Sequence, residues 1–204
     1  MNQFYSPENL SHILPYLQPP WFAKVVTPKW LLLGGPASGC EAQEARRQWP
    51  GIGIVAVEPN EEAVYWQMKH GWPKGAVLIH GALHDLDGPV RVSSPAGFLQ
   101  STRVDPHGTE VLGYTWDKLD ELYGPFEDAL LWMDIETHEL EAVRGAEGIL
   151  GRRAVLLVNV EMQSRLPEKN AELDAILRRH DFRIVHEWND SPQCWDRVYL
   201  RRWQ

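Results

Sequence analysis

Leu31-Leu32-Leu33-Gly34-Gly35-Pro36-Ala37-Ser38-Gly39, followed by Val55-Ala56-Val57-Glu58-Pro59-Asn60, decides how the chain is read. The first stretch is an apolar run that stops in glycines. The second is an apolar run that ends in one carboxylate. A strand feeding a glycine turn and then a helix lets backbone N–H groups approach a ligand closely, with the helix N-terminus behind them. A second parallel strand closing on Glu sets a carboxylate beside that turn, where it accepts hydrogen bonds from ribose hydroxyls. Gly39 and Glu58 lie 19 positions apart, near the ~20 of one βαβ step. Gly34, Gly35, Gly39, Glu58, Pro59 and Asn60 are therefore candidates for holding a nucleoside.

Outward from this stretch the pattern is strand, helix, strand, helix. Trp30–Leu33 reads as the first strand and Glu41–Trp49 as a helix with acid in its first turn. Gly53–Val57 is the second strand, and Glu61–His70 a helix capped by Asn60. Ala76–His80 is a third strand. Residues 86–114, rich in Ser, Gly, Pro and Thr, read as a long loop with a short strand at Val90-Arg91-Val92. Asp117–Tyr123 is a helix capped by Thr115, and Leu130–Asp134 a buried strand. Thr137–Leu150 reads as one helix whose Leu140, Val143, Ala146, Ile149 and Leu150 share a face. Ala154–Val160 is a fifth strand closing on Glu161, and Ala171–His180 a further helix. Phe182–Trp188 and Trp195–Trp203 form an antiparallel pair, their link being too short for a crossover. Residues 1–29, with Pro15, Pro19 and Pro20 interrupting a helical leucine pattern, read as a cap on one domain spanning residues 30–204. The whole is an α/β fold, a Rossmann-like, seven-stranded, mostly parallel sheet with a C-terminal antiparallel pair and helices on both faces. Glu58, Asp134 and Glu161 fall at strand C-termini, where open α/β sheets hold ligands.

Bulk properties narrow the field. A net charge of -8 argues against a nucleic-acid partner, because phosphate contacts need a basic face. The pairs Arg46-Arg47, Arg152-Arg153, Arg178-Arg179 and Arg201-Arg202 read as solvated. Cys40 and Cys194 make no disulfide framework or zinc spacing, and with no secretory leader or apolar span a cytoplasmic setting is expected. Of ten tryptophans, Trp72, Trp116 and Trp132 are candidates for the rim of a pocket.

The chain resembles the FkbM-type family of S-adenosylmethionine-dependent methyltransferases. The likeness rests on Ala56-Val57-Glu58-Pro59-Asn60 and on Met133-Asp134-Ile135-Glu136-Thr137-His138-Glu139-Leu140-Glu141 running into Arg144-Gly145-Ala146. Ala82-Leu83-His84-Asp85, Thr115-Trp116-Asp117 and Val158-Asn159-Val160-Glu161 stand where the family has short motifs. This resemblance implies the class I methyltransferase fold and an S-adenosylmethionine cofactor, with Ala82 and Leu83 offering backbone groups to the adenine. It implies methyl transfer to oxygen, on a hydroxyl of a sugar or other small metabolite. Four positions depart from the family pattern. Leu33 replaces an acid that faces the methionine amino group, Ala37 an asparagine, Trp132 a lysine, and Thr137 a glycine.

On this reading Asp134, Glu136 and His138 flank the transferred methyl, as carboxylates favouring a sulfonium and as bases for a hydroxyl proton. Asp134, His138 and Glu161 are also an oxygen-rich set of the kind that holds Mg²⁺. The alternative function is a methyltransferase fold that no longer catalyses and serves as a binding or assembly module, with Leu33 and Ala37 as traces of the loss.

Overall fold

A computed structural model describes residues 27–94, 102–189 and 191–202. The expected cap lies outside these residues, apart from positions 27–29. The apolar runs become the middle of a seven-stranded sheet: β1 (Trp30–Gly34), β2 (Gly53–Glu58), β3 (Val77–His80), β8 (Ala129–Met133), β9 (Val155–Gln163), β10 (Phe182–Asn189) and β11 (Cys194–Arg201). Their spatial order is β10-β11-β9-β8-β1-β2-β3, with only β11 running antiparallel to its neighbours. The order reverses between β1 and β8, and in open α/β sheets that switch point opens a crevice at the strand C-termini.

Strand alternation sends side chains to two faces. Leu32, Val55, Val57, Leu131 and Met133 enter one core layer, covered by α3 (Trp116–Tyr123), α4 (Glu139–Arg144), α5 (Glu147–Gly151) and α6 (Pro167–Arg179). Leu31, Leu33, Ile54, Ala56 and Leu130 enter the other, against α1 (Cys40–Gln48). α2 (Glu61–His70) starts at Asn60, whose side chain accepts from Glu62 and Ala63 N–H, and α3 starts at Thr115, which accepts from Lys118 N–H. No helix of the described residues is long and apolar enough to cross a membrane.

The structure corrects four expectations. The expected long loop over residues 86–114 contributes three strands, β5 (Gly88–Ser93), β6 (Arg103–Val104) and β7 (Thr109–Tyr114), to a second, four-stranded sheet that β4 (Ala82–Leu83) completes, in the order β4-β7-β5-β6. The helix expected over 137–150 is two helices. Asp117 N–H takes the Gly145 carbonyl, and its carboxylate takes the N–H groups of Gly148 and Ile149, each at 2.8 Å, so a new helix begins there. β9 runs two residues past Glu161. Arg201 is not solvated: it is 4% exposed, lies over Phe182, and donates to the carbonyls of Leu150, Val155 and His180.

Candidate active site

The strand ends at the switch point open a cleft lined by residues of both sheets. Its floor is the β1 turn. Gly35 has φ +69°, and a Cβ there would stand 2.1 Å from the Asp134 carbonyl oxygen, so the floor is bare backbone. The turn is tied to both flanking strands, Gly35 N–H to Val57 O at 3.0 Å and Asp134 N–H to Gly34 O at 3.2 Å.

Glu58 closes β2 with its carboxylate 2% exposed and facing this cleft. One oxygen accepts from Ala37 N–H at 3.1 Å and the other from Asn60 N–H at 2.8 Å. Burial pushes its pKa up to about 7, with the two N–H groups opposing. Ala37 is held at both ends, because the buried Gln67 donates to its carbonyl at 2.7 Å. Gln67 was invisible as a site residue in sequence, being one polar position on an amphipathic helix. It fixes an alanine that sits at φ +35°.

The opposite wall is the segment after β8. Asp134, Ile135, Glu136 and His138 all line the cleft. Asp134 is open to the cleft but enclosed by protein elsewhere. That confinement, reinforced by Glu161, Asp196, Glu139 and Glu136, raises its pKa well above the carboxylate range. Glu136 is raised for the same reasons, Glu161 being the main charge upon it, while Arg165 and Arg103 pull it down. Glu136 and Thr137 are consecutive left-handed residues, at φ +54° and +82°. Glycine adopts this region freely and a β-branched residue does not, so Thr137 is strained where the family has glycine. Buried Glu139 braces the segment by accepting from Ile135 N–H at 3.0 Å, and burial lifts its pKa to about 8.

His138 caps the wall. Its ring lies 4.9 Å from that of His84, its Nδ1 is 3.6 Å from Glu141, and its Nε2 is buried with no hydrogen-bond partner. Burial lowers its pKa to about 4, so the imidazole is neutral at pH 7. Lys169 holds Glu141 from behind at 2.6 Å.

Of the residues expected at the site, Gly35, Glu58, Pro59, Ala82, Leu83, Asp134, Glu136 and His138 line one cleft. Gly34, Gly39 and Asn60 do not. Gly34 packs against Leu83 and Ile135, Gly39 precedes α1 under the Trp72 ring, and Asn60 spends its side chain on capping α2. The tryptophans are not at the rim either: Trp116 is fully buried, Trp72 donates to Ala76 O, and Trp132 packs with the core layer that holds Leu33. Among the described residues no group of three or more His, Cys, Asp or Glu is placed to hold a metal, so the Mg²⁺ set of Asp134, His138 and Glu161 is not formed. Sequence reasoning missed Val92, Thr102, Arg103 and Val104, which enter the cleft from the second sheet.

Comparison with known proteins places this fold. The magnesium protoporphyrin IX methyltransferase of Synechocystis, solved with bound S-adenosylmethionine, superposes with a TM-score of 0.53 at 12% identity, covering 96% of this chain and 79% of that one. A precorrin-6y C5,15-methyltransferase of Geobacter metallireducens gives 0.53 at 11%, over 98% and 92%. The fibrillarin pre-rRNA processing protein of Methanococcus jannaschii gives 0.52 at 11%, over 86% and 67%. At such identities the likeness is one of fold, that of the class I S-adenosylmethionine methyltransferases. No curated protein matches the sequence. The methyltransferase FkbM domain matches residues 35–184, and the chain belongs to that family.

Proposed function

We propose that this protein transfers a methyl group from S-adenosylmethionine to a hydroxyl of a sugar or other small metabolite. One observation carries the reading: a buried, backbone-held carboxylate at the end of β2 and a charge-rich wall after β8 face each other across a single cleft. The residues fit an adenosyl group. Glu58 would accept from the ribose hydroxyls, Ala82 and Leu83 would flank the adenine, and the bare backbone at Gly35 would let the remainder lie close to the sheet.

When bound, S-adenosylmethionine supplies a methyl group on a sulfonium sulfur. The chain aligns that methyl with the acceptor oxygen and excludes water. The new bond is oxygen to methyl carbon; the bond broken is methyl carbon to sulfur, which keeps the electron pair. The hydroxyl proton passes to Asp134, whose raised pKa makes it a stronger base than an ordinary carboxylate. His138, neutral at pH 7, and Glu136 close the wall beside the acceptor. The acids around the cleft and the net charge of -8 favour a neutral or cationic acceptor over a polyanion.

Leu33 favours a second reading, a fold that binds without catalysing, because a leucine 1% exposed in the core replaces the acid expected there. Calorimetric titration with S-adenosylmethionine and S-adenosylhomocysteine, followed by mass spectrometry of simple sugars incubated with cofactor and protein, separates the two. Binding with methylated sugar supports the enzyme. Binding without methyl transfer to any hydroxyl compound supports the second reading, and no binding by folded protein defeats the enzyme and leaves the assembly role.

A further inference from the structure

The Glu58 carboxylate, the Ala37 turn and α2 form a closed circuit of hydrogen bonds behind the cleft. Ala37 N–H donates to one Glu58 oxygen at 3.1 Å, and the Ala37 carbonyl accepts from Gln67 Nε2 at 2.7 Å. Gln67 stands in the last turn of α2, its own carbonyl taking the N–H groups of Gly71 and Trp72. That helix is capped by Asn60, whose N–H returns to the other Glu58 oxygen at 2.8 Å. Ala37 and Glu58 line the cleft, and Gln67 lies behind them. Two features of this circuit run against stability. Ala37 holds left-handed backbone, which a non-glycine residue keeps only where its surroundings impose it. Gln67 is buried, and its Oε1 has no partner, at a cost of order 1–3 kcal/mol. A methionine of similar length would carry no unpaired oxygen there. The amide is the less stable filler, and what it brings is one N–H aimed at Ala37.

We propose that Gln67 is a positioning residue for nucleoside binding: by holding the Ala37 carbonyl from behind the turn, it keeps the Ala37 N–H on Glu58 and the carboxylate set toward the cleft. An ionised carboxylate has about four acceptor positions. Ala37 and Asn60 each take one, which fixes the plane in which the others meet the ribose hydroxyls. Without Gln67 the turn relaxes out of left-handed backbone and the Ala37 N–H leaves. The carboxylate then loses one of the two donors that favour its charged form. The other titratable or charged groups around it are His80, its register partner on β3, Glu61 and Glu62 opening α2, and Asp134 and Arg103 lining the cleft. Among the described residues none of these is hydrogen-bonded to Gln67, so a change at Gln67 reaches Glu58 through Ala37. The inference rests on the nucleoside-cofactor reading above.

The test is calorimetric titration of methylthioadenosine into the full chain from about pH 6 to 8.5, with thermal unfolding alongside. Gln67→Met should leave Tm unchanged or higher and weaken binding about tenfold at about pH 7.5. It should also move upward the pH at which affinity declines, because Glu58 now holds its proton more tightly. In a Glu58→Gln background the same substitution should change affinity less than about twofold, since the carboxylate it serves is gone. Gln67→Leu repeats the measurement if the methionine variant does not fold. Affinity within about twofold of wild type overturns the proposal, and so does a loss whose pH profile has not moved. An equal loss in the Glu58→Gln background overturns it as well. Failure of both apolar variants to fold does the same, because Gln67 then serves the fold alone. Wild-type protein that folds and does not bind methylthioadenosine removes the nucleoside reading, and this inference with it.

Discussion

The two walls of the cleft are built on opposite plans. At the β2 end, Glu58 has both oxygens engaged by backbone N–H groups, and the loop it grips is clamped again by Gln67. At the β8 end, two consecutive residues hold left-handed backbone, an imidazole nitrogen is buried without a partner, and carboxylates crowd one another. Glu58 is satisfied before any ligand arrives, although the Oε1 of Gln67 behind it is buried without a partner; the other wall keeps unmet hydrogen bonds and repulsion. A site that binds one constant group and reacts at another is well served by this division, since strain and unpaired polar groups concentrate where chemistry occurs.

The sharpest way to break this contrast is to remove the satisfied end. Glu58→Ala should weaken methylthioadenosine binding by about 30-fold or more, the scale of charge-assisted hydrogen bonds, while Asp134→Asn changes it by less than about threefold. Isothermal titration of both variants reads the difference, and equal losses would erase the distinction between the walls.

A second probe is pH. Glu58 and Glu41 are held at about 7 and Glu139 at about 8, all raised by burial. A raised carboxylate binds protons in the folded state that the unfolded chain has released, so stability falls as pH rises through that window. From pH 8 down to 6.5 the ligand-free protein should gain on the order of 5 °C in Tm. Below 6.5 the gain should become shallower, because the unfolded chain protonates His138 while the folded state, with a pKa of about 4, does not, and one imidazole offsets part of what three raised carboxylates contribute. Nucleoside affinity should run the other way across pH 7, declining as Glu58 takes up its proton. Calorimetry of unfolding and titrations at matched pH check both signs.

The smallest effect concerns the strained wall. Thr137→Gly should stabilise the fold by about 1 kcal/mol, the relief of left-handed strain exceeding the added chain entropy. Denaturant unfolding with an unchanged slope would confirm it; destabilisation would show that φ +82° is not strained there.

What could be read from the sequence follows the same division. Glu58 and Asn60 were legible because an apolar run, a terminal acid and a capping amide each follow a local rule. The mostly parallel seven-stranded sheet with its antiparallel end followed from strand and helix alternation. The second sheet was not legible: Thr109–Tyr114 buries only Gly113, so no strand periodicity announces it, and pairing with β5 holds it. The split of the 137–150 helix was hidden because Leu140, Val143, Ala146, Ile149 and Leu150 stay in phase across the break. The break is dictated by Asp117, some 30 residues away in sequence. Arg201 looked solvated because nothing in the sequence shows three carbonyls converging on it. Candidate residues on strand ends were found, and those arriving from the second sheet were missed for the same reason the sheet was.

That second sheet has a wider consequence. Val92, Thr102, Arg103 and Val104 furnish part of the enclosure from an excursion that leaves the main chain path after β3 and rejoins it before α3. Rewriting this excursion would alter which guest is admitted while sparing the register of the seven strands and the grip on the nucleoside. Evolution, or a designer, can thus exchange the door without rebuilding the room.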